Sequence, residues 1–120
     1  TEKYILDYSA KLKLPLLGIC RGMQMIAEWA GTKTKTVHGH AGSRHQITGL
    51  INQEVNSFHN FTIDGCPPGF NVIARSVDGE IEAISNKKLP IEGWMWHPER
   101  EKPFSITDLE RMSALFKSPT

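Results

Sequence analysis

Two short segments carry the residue types of a cysteine nucleophile and its base. The segment GICRGMQ at 18–24 places a thiol, Cys20, between two glycines, and the segment WHPE at 96–99 places His97 two residues before Glu99. An imidazole can activate a thiol, and a carboxylate can hold that imidazole in one tautomer and one direction. Together the two segments predict nucleophilic catalysis through an oxyanion intermediate.

The glycines around Cys20 predict a sharp turn from a strand into a helix. Such a turn crowds the positions two residues before and two residues after the nucleophile, and Gly18 and Gly22 fit that demand. It would place Cys20 at a helix N-terminus, where free N–H groups and the macrodipole favour the thiolate. The backbone N–H of Arg21 would then point to where an oxyanion forms. The alternative is a structural cysteine buried in a tight turn.

The spacing of His97 and Glu99 suits a base with its orienting group. If the chain is extended there, both side chains fall on one face. Pro98 excludes a helix interior, and the ends of strands in α/β folds are where sites gather. Taken alone, the pair could be a surface histidine beside a carboxylate. Its interpretation therefore depends on the sharp strand-to-helix turn around Cys20, which we call the elbow.

Local patterns supply the elements that must position these residues. Ile5, Tyr8 and Leu12 share one face of a predicted amphipathic helix, and Asp78-Gly79 joins two alternating runs as a β-hairpin. This order of elements fits one three-layer α/β domain over residues 1–120. The predicted elements are a helix over 2–12, a buried strand over 16–19, a helix over 23–30, a polar loop over 32–46, strands near 46–50 and 54–56, a turn at 65–69, the hairpin, a strand over 91–96 and a helix from Ser105, with Ser105 or Thr107 as its cap.

Composition excludes several classes of protein. The chain has 120 residues, a net charge of +1 and 39% hydrophobic residues, which is ordinary for one small globular core. Nothing indicates a nucleic-acid or membrane partner, and no apolar run could span a bilayer. Cys20 and Cys66 do not form a disulfide framework, so we expect reduced thiols in a cytoplasmic protein.

The remaining polar residues suggest weaker hypotheses. His38, His40 and His45 could form a metal cluster or belong to a polar loop, and we expect no metal because no acidic or cysteine ligand stands at a metal-like spacing nearby. His59 could line a pocket or be a structural histidine. The arginines Arg44, Arg75 and Arg100 could bind a carboxylate or phosphate or be solvated, Trp94 and Trp96 fit a strand core, and Cys66 is expected to be inert.

The two motifs together resemble those of class I glutamine amidotransferases, most closely the γ-glutamyl hydrolase-like members, whose elbow also has the sequence Gly-Ile-Cys-Arg-Gly. The segment VNSFH at 55–59 is similar to their strand-end segment beside the glutamyl head group. The run HPERE followed by Pro103-Phe104 further resembles the γ-glutamyl-CDP-amidate hydrolase-like branch, which is tied to nucleotide-sugar or capsule pathways. The resemblance extends over nearly the whole chain and implies a flavodoxin-like fold.

The resemblance also implies roles for individual residues. Cys20, His97 and Glu99 would form the triad, and the N–H of Arg21 would contribute to the oxyanion hole. Gln24 would lie against the glutamyl group, and the backbone of Ser57 and Phe58 would meet its α-amino or α-carboxyl end, with His59 beside them. The implied reaction is cleavage of a γ-glutamyl amide through a glutamyl thioester, with no cofactor.

The sequence departs from the family pattern at its start. Two βα units and a glycine-rich loop, the source of a second oxyanion donor, precede the elbow in the family, and this sequence begins in the helix just before it. We therefore expect a partial domain whose elbow strand lies at an incomplete sheet edge and which alone hydrolyses little γ-glutamyl amide. Two alternatives stay open: a glutaminase subunit that delivers ammonia to a synthase partner, and a truncated non-catalytic module.

Overall fold

The computed structural model of the chain describes residues 2–117. It contains three α-helices, eight strands and one 3-10 turn over Pro98–Arg100. In chain order the elements are α1 (Glu2–Leu12), β1 (Leu16–Ile19), α2 (Arg21–Trp29), β2 (Thr34–Thr36), β3 (Ala41–Gly49), β4 (Gln53–Phe58), β5 (Phe61–Ile63), β6 (Phe70–Ser76), β7 (Ile81–Asn86), β8 (Ile91–Trp94) and α3 (Ile106–Phe116).

Six of the strands form one mixed sheet in the order β1-β8-β7-β6-β3-β4, and β2 pairs with β5 in a second, two-stranded sheet. β1 and β8 run parallel, with Leu16 opposite Ile91 and Ile19 opposite Trp94. The other pairings in the main sheet are antiparallel. The carboxyl ends of β1 and β8 therefore lie at the same edge of the sheet, where Cys20 and the segment leading to His97 begin.

Helices cover both faces of the sheet at β1. Leu16 packs in the cluster that contains Met23 and Ile26 of α2, whereas Leu17 and Ile19 pack in the cluster that also receives Met112 of α3. This alternation follows from the two-residue period of a strand, which sends successive side chains to opposite faces. The result is the three-layer α/β arrangement that the sequence predicts.

β1 is an edge strand among the described residues, as the sequence analysis predicts. Its apolar side chains are for this reason only partly buried. An apolar cleft of about 160 Å³ lies beside it, lined by residues of α1, β1 and α2 that include Leu16, Leu17, Met25 and Ile26.

The helix predicted over residues 2–12 is present as α1, and its predicted apolar face lies outside the core. Ile5, Tyr8 and Leu12 are each about half exposed, and Leu6 and Ser9 are the buried positions instead. α1 turns Leu6 toward α2 and the core cluster. The apolar stripe of Ile5, Tyr8 and Leu12 therefore stays on the surface, with Ile5 at the cleft beside β1.

The polar loop expected over 32–46 is also wrong, because this segment contains β2 and the first half of β3. β3 begins at Ala41 because its backbone pairs with β4 and, farther along, with β6. The partner strands lie far along the chain, so their pairing outweighs the polar local composition.

The predicted hairpin forms between β6 and β7. Gly79 has φ of 88°, and its N–H donates to the carbonyl of Ser76 to close the turn. At the C-terminal helix, Ser105 rather than Thr107 is the cap, since its hydroxyl accepts from the N–H of Asp108. Within residues 2–117, none of the helices is both long and apolar enough to cross a lipid bilayer.

Candidate active site

Cys20 lies at a strained strand-to-helix elbow. It directly follows β1 and immediately precedes α2, with φ of 53° and ψ of −102°, which are rare values for a residue other than glycine. The carbonyl of Trp94, at the end of β8, accepts a 2.7 Å hydrogen bond from the Cys20 N–H, and Gln24 N–H donates to the Cys20 carbonyl. These bonds hold the strained residue in place between the sheet and the first turn of α2.

The two glycines of the elbow serve it differently. A Cβ at Gly18 would lie 2.6 Å from both the Gly22 carbonyl carbon and Ile26 Cδ1, so only glycine fits there. A Cβ on Gly22 would meet nothing within 4 Å. The prediction that a side chain at position 22 would be crowded is therefore wrong. Gly22 instead contributes the backbone atoms against which Gly18 packs.

The expectation of a favoured thiolate at Cys20 is wrong. Partial burial raises the pKa of the Cys20 thiol above its ordinary value, and the negative charges of Glu82 and Glu99 add to that rise. The Arg21 backbone N–H and the Arg100 guanidinium act in the opposite direction but do not outweigh the loss of water. The thiol of Cys20 therefore needs a base to become a nucleophile near neutral pH.

His97 and Glu99 form the pair that their spacing predicts. Glu99 Oε2 lies 2.8 Å from His97 Nδ1. An ionised carboxylate can only accept, so Nδ1 carries the proton and Nε2 is left with a free lone pair. The pairing of β1 with β8 puts this histidine at the same sheet edge as Cys20, since His97 follows β8 by three residues and Cys20 follows β1 by one.

Asn56, which is not among the site residues predicted from the sequence, clamps the backbone of His97. Its side-chain oxygen accepts from the His97 N–H at 3.0 Å, and its Nδ2 donates to the His97 carbonyl at 2.8 Å and to Glu101 Oε2 at 2.8 Å. Asn56 is 2% exposed. Its position inside the segment VNSFH was a signal, but the partner 41 residues away could not be derived from local spacing.

The other predicted site residues gather around this edge. Gln24 Nε2 donates to the Phe61 carbonyl at 3.1 Å and lies 3.9 Å from Met95 Sδ. Ser57 is fully buried, and its hydroxyl donates to the His40 carbonyl. Phe58 is exposed, meets the His97 ring edge-on at 6.4 Å between centroids, and lies under the Arg100 guanidinium at 4.4 Å.

His59 points into a buried cluster rather than onto the surface. It is 4% exposed, His40 is 2% exposed, and both face the fully buried Glu82. The sequence places no acidic residue at a metal-like spacing from the histidines, but in the folded chain β7 brings Glu82 next to His40 and His59. The argument against a metal ion from sequence spacing is therefore wrong. Of the three histidines from 32–46, His40 and His45 join this cluster and His38 stays exposed.

The remaining polar candidates have structural partners. Arg44 binds Glu54 and, through two parallel hydrogen bonds of 2.9 Å, Glu101. Arg75 donates to the Gly79 carbonyl. The tryptophans Trp94 and Trp96 are stacked in the core, as the sequence predicts, and Cys66 is exposed with its sulfur against the Phe70 carbonyl.

A strained cysteine elbow and a histidine–carboxylate pair follow two paired parallel strands at one edge of an α/β sheet, and comparison with known proteins identifies the family. The profile of the family Glutamine amidotransferase class-I matches residues 2–106. The chain belongs to this family.

Two of the curated relatives illustrate the range of names among them. The chain is 37% identical over 100 residues to a gamma-glutamyl-CDP-amidate hydrolase of Campylobacter jejuni, an alignment that covers 83% of this chain and 50% of the relative. It is 36% identical over 103 residues to a glutamine-hydrolyzing GMP synthase subunit of Methanothrix thermoacetophila, covering 78% of this chain and 57% of the relative. The chain thus spans about half the length of these relatives.

Solved structures share the fold. A glutamine amidotransferase from Thermotoga maritima superposes with a TM-score of 0.74 at 20% identity, over 97% of this chain and 52% of that chain. A Thermoplasma acidophilum protein described as a subunit of GMP synthase superposes with a TM-score of 0.80 at 23% identity, over 98% of this chain and 62% of that one. The architecture is therefore that of class I glutamine amidotransferases.

Proposed function

We propose that the protein hydrolyses a γ-glutamyl amide, with Cys20 as nucleophile, His97 as general base and acid, and Glu99 as the group that orients His97. The observation that carries the proposal is the strained elbow of Cys20 at the sheet edge where the His97–Glu99 pair, 2.8 Å apart, also begins. A buried structural cysteine would have no need of a backbone conformation that costs about 1–3 kcal/mol.

The first half of the reaction forms a thioester. His97 Nε2 takes the proton of the Cys20 thiol, and the sulfur attacks the δ-carbonyl carbon of the glutamyl group. The carbonyl electron pair moves to oxygen, where the Arg21 N–H donates a hydrogen bond to it. When the oxyanion collapses, the C–N bond breaks and the leaving amine takes the proton from His97, so that a glutamyl thioester remains on Cys20.

The second half releases glutamate. His97 takes a proton from water, and the hydroxide attacks the thioester carbon. The C–S bond breaks, the sulfur recovers the proton from His97, and free glutamate leaves. Glu99 stays ionised throughout and stabilises the imidazolium at each proton transfer.

The raised pKa of the Cys20 thiol assigns His97 a particular task. With the thiol protonated in the free protein, the proton must be moved as the substrate binds, and a positioned imidazole does this. Arg100 assists, since its charge favours the thiolate. Arg100 is itself held over the Phe58 ring.

Three further residues are proposed to hold the glutamyl head group. Gln24 is anchored through its side-chain nitrogen to the Phe61 carbonyl, so its side-chain oxygen is oriented by that bond. Ser57 is pinned by its hydroxyl to the His40 carbonyl, which fixes the backbone of Ser57 and Phe58. Fixed backbone groups suit a charged head group, because they need no reorganisation on binding.

A second candidate function differs only in the amine that leaves. In a glutaminase subunit the amine is ammonia, delivered to a synthase partner, and the similarity to a glutamine-hydrolyzing GMP synthase subunit favours this candidate. The similarity to a γ-glutamyl-CDP-amidate hydrolase, over a larger share of this chain, favours the first. The triad proposed above serves both.

The test is glutamate release by the purified protein from a γ-glutamyl arylamide and from glutamine. From this chain, which spans about half the length of its relatives, we expect slow release that is abolished in Cys20→Ser and kept in Cys66→Ser, the matched substitution of the exposed thiol. Release from the arylamide without a partner supports the hydrolase, and glutamine hydrolysis that requires a synthase supports the glutaminase. Equal activity of Cys20→Ser and the parent protein would refute both.

A further inference from the structure

The cluster of His40, His59 and Glu82 lies outside the proposed triad. His40 immediately precedes β3, His59 lies between β4 and β5, and Glu82 is the second residue of β7. The three residues are 2%, 4% and 0% exposed. A carboxylate this deeply buried is rare unless it is paired or bound to a metal ion.

Hydrogen bonds on the outer side of each ring fix where the protons are. His40 Nε2 lies 2.6 Å from Asp78 Oδ2, and His59 Nδ1 lies 3.0 Å from the Phe61 carbonyl oxygen. A carboxylate and a carbonyl both accept hydrogen bonds, so the ring nitrogens that face them carry protons.

The inner ring nitrogens then face Glu82 as bare acceptors. His40 Nδ1 lies 3.3 Å from His59 Nε2 and 3.5 Å from Glu82 Oε2, and His59 Nε2 lies 3.7 Å from the same oxygen. No hydrogen bond reaches either oxygen of Glu82 among the described residues: Oε1 has an ion-pair contact of 3.2 Å with His45 Nε2, and the histidine nitrogens nearest Oε2 lie 3.5 and 3.7 Å away. Three lone pairs that converge in a dry interior require a positive charge between them.

The distances discriminate between a proton and a metal ion as that charge. A protonated imidazole bound to a carboxylate gives separations of about 2.7–2.9 Å. Ligands arranged tetrahedrally around a metal ion at bonds of about 2.0–2.2 Å lie about 3.3–3.6 Å from one another. The separations of 3.3 and 3.5 Å fall in the second range, the third, 3.7 Å, lies 0.1 Å beyond it, and all three are longer than the first case allows.

From this geometry we propose that His40 Nδ1, His59 Nε2 and Glu82 Oε2 bind a divalent transition-metal ion of the Zn²⁺ type. Two imidazoles and one carboxylate are a donor set that zinc accepts, and the fourth position is left for a water molecule. The outer partners, Asp78 and the Phe61 carbonyl, orient the two rings as groups behind metal-bound histidines do. His45 Nε2, 3.2 Å from Glu82 Oε1, holds the other carboxylate oxygen.

The role of such an ion would be structural. It ties the start of β3, the β4–β5 connection and β7, and through Asp78 it reaches the β6–β7 turn. These segments lie far apart in sequence, so a shared ion lowers the free energy of the folded chain relative to the unfolded one, in which the ligands are dispersed. The proposal is independent of the catalytic one, since none of these three residues belongs to the triad.

The test is Zn²⁺ binding to EDTA-treated protein that carries Cys20→Ser and Cys66→Ser, so that neither thiol competes for the ion. We expect one Zn²⁺ per chain by titration calorimetry and a higher melting temperature with Zn²⁺ than with EDTA. Glu82→Gln should remove binding. Glu80→Gln, the same substitution just before β7, and His38→Ala, at the exposed histidine two residues before His40, should keep it.

Two further measurements separate loss of binding from loss of folding. Asp78→Asn keeps all three ligands and should weaken binding about 10–100-fold. X-ray absorption of the Zn²⁺-loaded chain, which needs no variant of the cluster, should show two imidazoles and oxygen ligands. A chain that binds no Zn²⁺ stoichiometrically, or binds it as tightly in Glu82→Gln, would overturn the proposal and leave a shared proton as the charge in the cluster.

Discussion

Two histidine–carboxylate groups of this molecule are built from the same chemistry and differ in their surroundings. At the sheet edge, Glu99 is 60% exposed and holds a single ring of His97, which itself keeps contact with solvent. In the interior, the carboxylate of Glu82 is fully buried and faces three histidines. The open pair can exchange protons with substrate and water, whereas the closed cluster is suited to holding a fixed charge.

The difference in burial also predicts that the two carboxylates affect stability differently. Water screens the Glu99 pair, and such pairs contribute little to the free energy of unfolding. Removing the charge of a buried, paired group leaves its partners unpaired in the interior, which is far more costly. We therefore expect substitutions at the open pair to change turnover and substitutions at the closed cluster to change stability.

The largest effect should come from His97→Ala in the open pair. Loss of the general base should lower turnover about 10²–10⁴-fold, because the Cys20 thiol is then left with its raised pKa and no proton acceptor. Glu99→Gln should cost less, since the imidazole remains and loses only its orienting partner. Steady-state assays of glutamate release measure both. A Glu99→Gln defect equal to that of His97→Ala would show that orientation matters as much as the base.

The next largest effect is the difference between Glu82 and Glu99 in their contribution to the free energy of unfolding. Glu82→Gln should lower the free energy of unfolding by about 3–5 kcal/mol, and Glu99→Gln should change it by less than about 0.5 kcal/mol. Urea unfolding followed by circular dichroism, with EDTA present throughout, measures both without a contribution from bound metal. Similar values for the two variants would remove the distinction between an open pair and a closed cluster.

A smaller loss of stability is expected from a substitution in the elbow that positions Cys20, the proposed partner of His97. Gly18→Ala should destabilise the protein by about 1–3 kcal/mol, because its Cβ would overlap Gly22 and the Ile26 side chain. Gly22→Ala meets no atom and should be nearly neutral. Thermal unfolding of the two variants, each one methyl group larger, is a matched comparison. Equal losses would mean that Gly22 has a constraint other than space.

The smallest expected effect is on the pH dependence of Cys20 alkylation. Since burial raises the pKa of the Cys20 thiol, its alkylation by iodoacetamide should increase with pH toward a midpoint above the ordinary thiol value. Arg100→Gln should move that midpoint higher still, because the Arg100 charge favours the thiolate. Peptide mapping across pH measures the rate at Cys20. A midpoint below the ordinary thiol value would contradict the dominance of burial.

The same contrast explains what the sequence could and could not predict. The elbow, the His97–Glu99 pair and the hairpin at Asp78-Gly79 depend on residues within a few positions of one another, so local spacing predicts them. Glu82 lies far along the chain from both His40 and His59, and it joins them only because β7 and β3 enter the same sheet on either side of β6. Neither local pattern nor composition encodes that meeting.

Burial accounts for two further differences between the sequence-based predictions and the structure. The thiolate expected at Cys20 followed from the helix N-terminus alone, but desolvation has the larger effect on the pKa. Local periodicity places Ile5, Tyr8 and Leu12 on one face of α1, but α1 packs against α2 through Leu6 and leaves that face about half exposed. Both depend on which neighbours surround the residue in space.

The most direct test of the central claim, that Cys20 is the nucleophile for a glutamyl carbonyl, is covalent capture by a diazoketone analogue of glutamine, with the modified residue located by mass spectrometry. We predict a single adduct on Cys20 that forms in Cys66→Ser, is absent from Cys20→Ser and is slowed in His97→Ala. An adduct on the exposed Cys66, or a folded chain that leaves Cys20 unmodified, would contradict the claim.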